Sequence, residues 1–152
     1  MRDFGQPYKS ILLVDDDADD RDLFAEAVTF IDPTIRITTK RDGEELMDYL
    51  KVSTGYDLIF LDLNMPRKNG KECLVEIRAN QRHAATPIII YTTSLNPMDV
   101  EDTFAQGANF FLRKPNSFEE LKDVLGYVLA GKLRNNEKKR ETFVVNRNLK
   151  LV

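Results

Sequence analysis

Residues 57–70 read D-L-I-F-L-D-L-N-M-P-R-K-N-G, and this stretch decides the fold. Four consecutive apolar residues, 58–61, precede Asp62, and a proline and an asparagine–glycine pair follow it. An apolar run of this length is typical of a central strand in a parallel sheet that is covered on both faces. Asp62 would then lie at the carboxyl end of a buried strand, where ligand sites gather in open α/β sheets. Taken alone, an aspartate that caps a turn is the simpler interpretation.

Two other stretches have the same design. Residues 11–17 read I-L-L-V-D-D-D, which is a second apolar run that ends in acids. Residues 109–115 read N-F-F-L-R-K-P, which is a third apolar run that ends in a lysine and a proline. Since parallel strands end at the same edge of a sheet, the three runs predict carboxylates and a lysine in one cluster.

Composition excludes several classes of protein. A chain of 152 residues with 42% apolar content predicts one domain with an ordinary core. A net charge of −3 and a pI of about 5.3 argue against nucleic-acid binding. The one cysteine, Cys73, lies in an apolar helical pattern and is interpreted as a core residue. There is no apolar run of about 18 residues and no signal-peptide pattern, so we expect a cytoplasmic protein without a membrane segment.

The rest of the chain alternates between strand and helix patterns. The strands are expected at 10–14, 35–39, 58–61, 88–91 and 110–112, and the helices at 18–31, 44–52, 70–79, 97–106 and from 117 onward. Strand two alternates in polarity, which indicates a position towards the edge of the sheet. Five successive βα units predict an α/β fold, with a five-stranded parallel sheet and helices on both faces.

The last part of the chain has a different character. Residues 132–141 are nearly all charged or polar, and residues 142–152 read T-F-V-V-N-R-N-L-K-L-V. This final stretch could form an extra strand, a helix extension or a contact with a partner, and its apolar residues could mediate a homodimer. The basic residues before it are interrupted by Glu137 and Glu141, which favours a solvated extension over a nucleic-acid site.

Taken together, the motifs resemble the receiver domain of two-component response regulators. The matching features are an acid pair after strand one, D-L-N-M-P after strand three, T-T-S after strand four and K-P after strand five. The resemblance covers residues 9–130 and implies a doubly wound, flavodoxin-like (βα)5 fold. It leaves residues 131–152 as an extension without a separate output domain. A looser similarity points to the stand-alone regulators that serve phytochrome-type kinases.

The resemblance implies a role for each matching residue. The set comprises Asp62 as the phosphoacceptor, Asp15, Asp16, Asp62 and the backbone carbonyl of Asn64 as ligands of Mg²⁺ (or Mn²⁺), Thr92 as the switch hydroxyl, Lys114 as the phosphoryl-binding lysine, Phe111 as the aromatic switch and Pro115 after a cis peptide bond. The chemistry agrees with this set, because clustered carboxylates repel one another and a hard divalent cation relieves the repulsion. Phosphoryl transfer needs positioning and charge neutralisation more than covalent help.

The resemblance also implies the partners. A sensor histidine kinase or a histidine phosphotransfer protein would supply the phosphoryl group. The chain would therefore only phosphorylate and dephosphorylate itself, and it would not be an enzyme in the ordinary sense. Phosphorylation would reshape the face formed by helix four, strand five and helix five, which would bind a downstream protein target. The only histidine, His83, is interpreted as a solvated loop residue.

Two residues depart from the family pattern. Thr93 stands where a smaller residue is usual, and we expect it to alter the autodephosphorylation of Asp62. Phe111 stands where many members carry tyrosine, so an outward ring would gain no hydrogen bond. Ordinary core packing is the simpler interpretation of Phe111.

Three rival interpretations remain at this point. Asp15, Asp17, Asp19 and Glu26 have the spacing of an EF-hand calcium loop, although Asp20 stands where that loop needs glycine. The D-x-D pattern also resembles haloacid-dehalogenase phosphatases, with Asp15 as the nucleophile, but the chain is short for that fold. A receiver fold that binds partners without phosphorylation is the third. In the receiver interpretation, Asp17 is a spare surface acid.

Overall fold

A computed structural model of the chain describes residues 7–53, 55–133 and 139–145. Its elements are β1 (Ser10–Val14), α1 (Ala18–Ile31), β2 (Arg36–Lys40), α2 (Gly43–Val52), β3 (Leu58–Leu61), α3 (Gly70–Ala79), β4 (Ile88–Thr92), α4 (Pro97–Ala105), β5 (Phe110–Arg113), α5 (Phe118–Leu129) and α6 (Arg140–Phe143). The five strands form one parallel sheet in the order β2-β1-β3-β4-β5. The predicted α/β fold is confirmed.

The burial of each strand follows its position in the sheet. Every residue of β1, β3 and β4 is buried, because these strands lie in the middle and helices cover both faces. In β2, exposed residues are interspersed with half-buried ones, as the alternating sequence predicted for an edge strand. The continuous apolar runs therefore belong to the central strands, and the alternating run belongs to an edge strand of the same sheet.

The helices divide between the two faces of the sheet. On one face, α1 and α5 pack over a cluster that includes Phe24, Phe60 and Tyr91, whose rings meet edge to face. On the other face, α2, α3 and α4 cover a second cluster that includes Leu46 and Leu74. Neighbouring residues of each central strand point to opposite faces, so both clusters draw on the same strands.

Each of the five long helices begins at a side-chain cap. The oxygen of the capping residue accepts a hydrogen bond from a backbone N–H of the first turn, which would otherwise have no partner. The capping residues are Asp17, Asp42, Asn69, Asn96 and Ser117. Asp17 is exposed, as expected of a surface acid, but it is not spare, because it caps α1.

The element boundaries differ from the predicted ones by a residue. Helix α2 begins at Gly43, one residue early, and α4 ends at Ala105, one residue early. Gly107 has a φ of +104°, the left-handed conformation expected of a residue that ends a helix. No helix among the described residues is both long and apolar enough to span a membrane.

Part of the C-terminal extension is described. Residues 139–145 contain the single turn α6, and Val144 then pairs with Phe111 of β5 in a parallel bridge. The described part thus has a separate helical turn and a single bridge to β5, and the three outcomes expected for residues 142–152 stay predictions. The predictions for residues 134–138 and 146–152 lie outside the described residues.

Candidate functional site

The ends of four neighbouring strands gather the predicted site residues. Asp15 follows β1, Asp62 follows β3, Thr92 ends β4 and Lys114 follows β5. All four strands are parallel, so these residues lie at one edge of the sheet. The strand order reverses direction between β1 and β3, and ligand crevices form at such a point.

Asp62 is held at the centre of this edge. Its side chain is 7% exposed, and Oδ1 accepts a hydrogen bond of 2.8 Å from the backbone N–H of Leu63. Its Oδ2 lies 3.4 Å from Nζ of Lys114. The Asp62 backbone N–H donates to the carbonyl of Val14, which ties the end of β3 to the end of β1. One carboxylate oxygen is thus fixed by the backbone, and the other faces the lysine.

Lys114 connects three carboxylates. Its Nζ lies 2.8 Å from Asp15 Oδ2 and 2.8 Å from Asp20 Oδ2, in addition to its contact with Asp62. Burial alone lowers the pKa of this lysine, but the pairs with Asp15 and Asp20 outweigh burial and raise the pKa above its usual value. The ammonium therefore stays charged and neutralises part of the acid cluster.

Asp15, Asp16 and Asp62 form a cluster suited to a cation. One oxygen from each carboxylate lies within 4.8 Å of the others. Asp15 is fully buried, and burial raises its pKa to about 6 although Lys114 and the Asp17 N–H lower it. Asp16 is exposed and leaves the cluster open to solvent. Three carboxylates in this arrangement fit a hard divalent cation, which prefers oxygen ligands and keeps several waters.

Two glycines let the loop after Asp62 approach its neighbours. A Cβ on Gly70 would lie 2.2 Å from the backbone oxygen of Asp62, and a Cβ on Gly43 would lie 2.2 Å from the backbone oxygen of Lys68. The loop thus passes close to the first turns of α2 and α3. Asn64, in this loop, is exposed and lines an open cavity of about 400 Å³, which Lys71 and Asp99 also line.

The sequence profile of the response regulator receiver domain matches residues 11–126. The chain belongs to this family. Receiver domains accept a phosphoryl group on an aspartate and take it from histidine kinases.

The chain is similar to three response regulators or regulatory proteins of known sequence or structure. The chain is 34% identical over 127 residues to response regulator Rcp1 of Synechocystis, covering 80% of this chain and 86% of Rcp1. It is 35% identical over 117 residues to the probable methanogenesis regulatory protein FilR2 of Methanothrix harundinacea, covering 74% and 76%. The phosphorylated cyanobacterial phytochrome response regulator RcpA superposes with a TM-score of 0.75 at 31% identity, covering 80% and 91%. The Mn²⁺-bound form of Rcp1 superposes with a TM-score of 0.73 at 30% identity, covering 86% and 99%.

The receiver fold removes the calcium-loop interpretation of the first acids. Asp15 is buried at the end of β1, whereas Asp19 and Glu26 lie on the helix α1. Residues of a helix that starts three positions after Asp15 cannot wrap around the same ion as an EF-hand loop does. The acids instead divide between the strand end, the helix cap and the helix itself.

The predicted switch residues of the receiver occupy different environments. Thr92 is fully buried, and its Oγ1 accepts a hydrogen bond of 3.3 Å from the Ser94 N–H. Thr93, beside it, is exposed. Phe111 is 1% exposed and packs with Phe143 in the second core cluster. The burial of Phe111 agrees with the simpler interpretation of core packing, and its switch role stays a prediction.

Two sequence interpretations are contradicted by the structure of the receiver. His83 is 2% exposed rather than solvated, because its Nε2–H donates to the Leu50 carbonyl at 3.0 Å and its Nδ1 accepts from the Tyr56 hydroxyl. The imidazole thereby satisfies a carbonyl in the last turn of α2. The Lys114–Pro115 peptide bond is trans rather than cis. Trans is the lower-energy isomer before proline.

Some site residues of the receiver were missed in the sequence. Asp20 lies in the first turn of α1 and was not among the predicted site residues, yet it pairs with Lys114. Lys71 of α3 lies 2.7 Å from Asp99 of α4, and Asp99 accepts a hydrogen bond from the hydroxyl of Ser94. The sequence places Asp20 at the start of a predicted helix but does not indicate that it faces Lys114. The Lys71 contact joins two helices and had no local signal.

Proposed function

We propose that this chain accepts a phosphoryl group on Asp62 from a histidine of a sensor kinase or of a histidine phosphotransfer protein. The observation that carries the proposal is the geometry of Asp62, with one oxygen held by the Leu63 N–H and the other facing Lys114, beside two further acids. A carboxylate in this position is a nucleophile with neutralising groups around it.

The transfer is a displacement at phosphorus. A carboxylate oxygen of Asp62 forms a bond to phosphorus as the bond from phosphorus to the donor imidazole nitrogen breaks, and the imidazole leaves with the electron pair. Lys114 is placed to contact the phosphoryl oxygens, because its Nζ already faces Asp62. Asp15, Asp16, Asp62 and the backbone carbonyl of Asn64 would hold Mg²⁺, or Mn²⁺ in its place. A bound divalent cation supplies neutralisation of the phosphoryl oxygens.

The outcome we propose is a change of the protein-docking face. The Thr92 hydroxyl would turn from the Ser94 N–H towards the new phosphoryl group, and the loop between β4 and α4 would follow. The aromatic ring of Phe111 and the face formed by α4, β5 and α5 would then change, and a downstream protein target would bind there. Residues 9–130 would form this receiver, with residues 131–152 as its extension and self-modification as its only chemistry.

The test is phosphorylation by acetyl phosphate or phosphoramidate, with and without Mg²⁺, read on a phosphate-affinity gel. We expect a Mg²⁺-dependent product that is stable in acid and labile to base and hydroxylamine. The Asp62→Asn variant should give no product. Equal labelling of both proteins, or no labelling by either a small donor or a histidine kinase, would contradict the proposal.

A further inference from the structure

Residues 139–145, here called the C-terminal clip, extend the sheet at β5. The Val145 N–H donates to the Phe111 carbonyl at 2.9 Å, and Val144 pairs with Phe111 in a parallel bridge. β5 is the last of the five strands in the sheet order, so these contacts cover its open side. The clip therefore occupies the strand at the centre of the proposed docking face.

The two apolar anchors of the clip lie on opposite faces of the sheet. Phe143 is 1% exposed, and its ring meets Phe104 of α4 at 5.2 Å, edge to face, and Phe111 at 6.2 Å. Val145 is 5% exposed and belongs to the other core cluster, beneath α1 and α5. The clip thus straddles the edge of β5, with one side chain buried on each side.

A charged pair aligns the clip on α4. The Arg140 guanidinium donates two hydrogen bonds to Glu101 Oε2, of 3.0 Å from Nε and 2.6 Å from one terminal nitrogen. Both side chains are about half exposed, so this pair sets orientation more than strength. The helix α6 has only four residues, too few to hold its shape alone. The clip is therefore ordered by its contacts with α4 and β5.

We propose that the clip is an internal ligand, which can leave its site, and that the surface beneath it is a binding site for a protein segment that presents the same anchors on one helical turn followed by an extended end. Those anchors are an arginine, an aromatic residue three positions later and an aliphatic residue two positions after that. Addition of a strand to a sheet edge gives such sites backbone affinity, and pockets give them selectivity. The inference deepens the proposed docking function, because it rests on the same face and names the chemistry of the partner.

The internal ligand competes with any partner. A segment tethered by a short linker has an effective concentration on the order of 1 mM at its own site. If the free segment binds with a Kd on the order of 100 μM, the tethered clip weakens the binding of a competing segment about tenfold. Removal of the two apolar anchors should restore the full affinity of the site.

The test uses the full chain and a fluorescent peptide with the sequence of residues 139–145, K-R-E-T-F-V-V. The Phe143→Ala/Val145→Ala double variant should bind the peptide about tenfold more tightly than the wild type, as measured by fluorescence anisotropy. Val144→Ala is the matched control, because Val144 is 40% exposed, and it should bind like the wild type. A peptide with alanine for the phenylalanine should not bind. Equal binding to all three chains, or binding to none, overturns the proposal.

A charge reversal separates specific docking from a general loosening of the fold. In the double variant, a further Glu101→Arg change should favour a peptide with glutamate at the position of Arg140 over the original peptide. An unchanged preference would overturn the assignment of the anchors. Sedimentation of the wild type tests whether the clip binds its own chain or a second copy. A dimer that the double variant does not form would show that the clip binds a second copy, and would overturn its assignment as an internal ligand. No phosphoryl donor is present, so failure here is distinct from failure of Asp62 phosphorylation.

Discussion

Replacement of Gly70 by alanine should disable the site without touching a charged residue. The added Cβ would lie 2.2 Å from the Asp62 backbone oxygen and 2.8 Å from the Leu63 Cα, whereas ordinary contact begins at 3.4 Å. Both neighbours are backbone atoms, so no side chain can rotate away, and the loop must move by about 1 Å. A displacement of that size at a reacting group costs on the order of 100-fold in rate. Overpacking should also lower the free energy of unfolding by about 1–3 kcal/mol.

The assay is the initial rate of Mg²⁺-dependent phosphorylation by acetyl phosphate, with the folded fraction checked by urea denaturation. Gly126→Ala is the matched control, because a Cβ there meets no atom of the described residues within 4 Å. That residue lies inside α5, so alanine should raise stability by about 0.5–1 kcal/mol and leave the rate unchanged. A folded Gly70→Ala protein with the wild-type rate would show that the loop after Asp62 does not need the close approach at Gly70.

Three further predictions follow from the charges around the site. Lys114→Met should destabilise the metal-free protein by about 3 kcal/mol, since three carboxylates lose their counter-charge. Saturating Mg²⁺ should recover more stability in the variant than in the wild type, and equal gains in urea denaturation would contradict this. Asp17→Ala should cost about 1 kcal/mol through loss of the α1 cap, whereas Asp17→Asn, which still caps, should cost little in the same melts. The Glu45 N–H and the Arg67 guanidinium lower the pKa of Asp42, so its contribution to stability is complete above about pH 4 and is lost as the pH falls through the lowered pKa. Asp42→Asn should therefore reduce the dependence of unfolding free energy on pH in acid. An unchanged dependence would show that Asp42 does not contribute to it.

The fold was predictable because the order of apolar and polar residues in each strand indicates how deeply that strand is buried in the sheet. The continuous apolar residues 58–61 are typical of a strand covered on both sides, and the alternation in 35–39 is typical of a half-covered strand. The principal site residues Asp15, Asp62 and Lys114 were predictable for a related reason. They follow apolar runs, and the parallel order brings run ends together.

The remaining features depend on contacts between distant elements. His83 stands among polar residues, and only the packing of its loop against the end of α2 and against Tyr56 buries it. Asp20 reaches Lys114 because of the rotation of α1 about its own axis, which sequence spacing does not report. The clip was an open question because an apolar tail fits an edge, a helix or a partner equally well until the position of Phe104 is known.

The cover on β5 also bears on solubility. An uncovered strand edge presents unpaired N–H and C=O groups, which recruit strands from other chains and start aggregation. The opposite edge strand, β2, begins with Arg36 and ends with Lys40, and such charges discourage edge-to-edge pairing with another strand. β5 carries charge only at its last residue, Arg113, and residues 144–145 contact its edge. Detachment of residues 144–145 would expose the edge of β5 to strands of other chains. Unless a partner or the same residues cover that edge again, the exposed form is expected to aggregate.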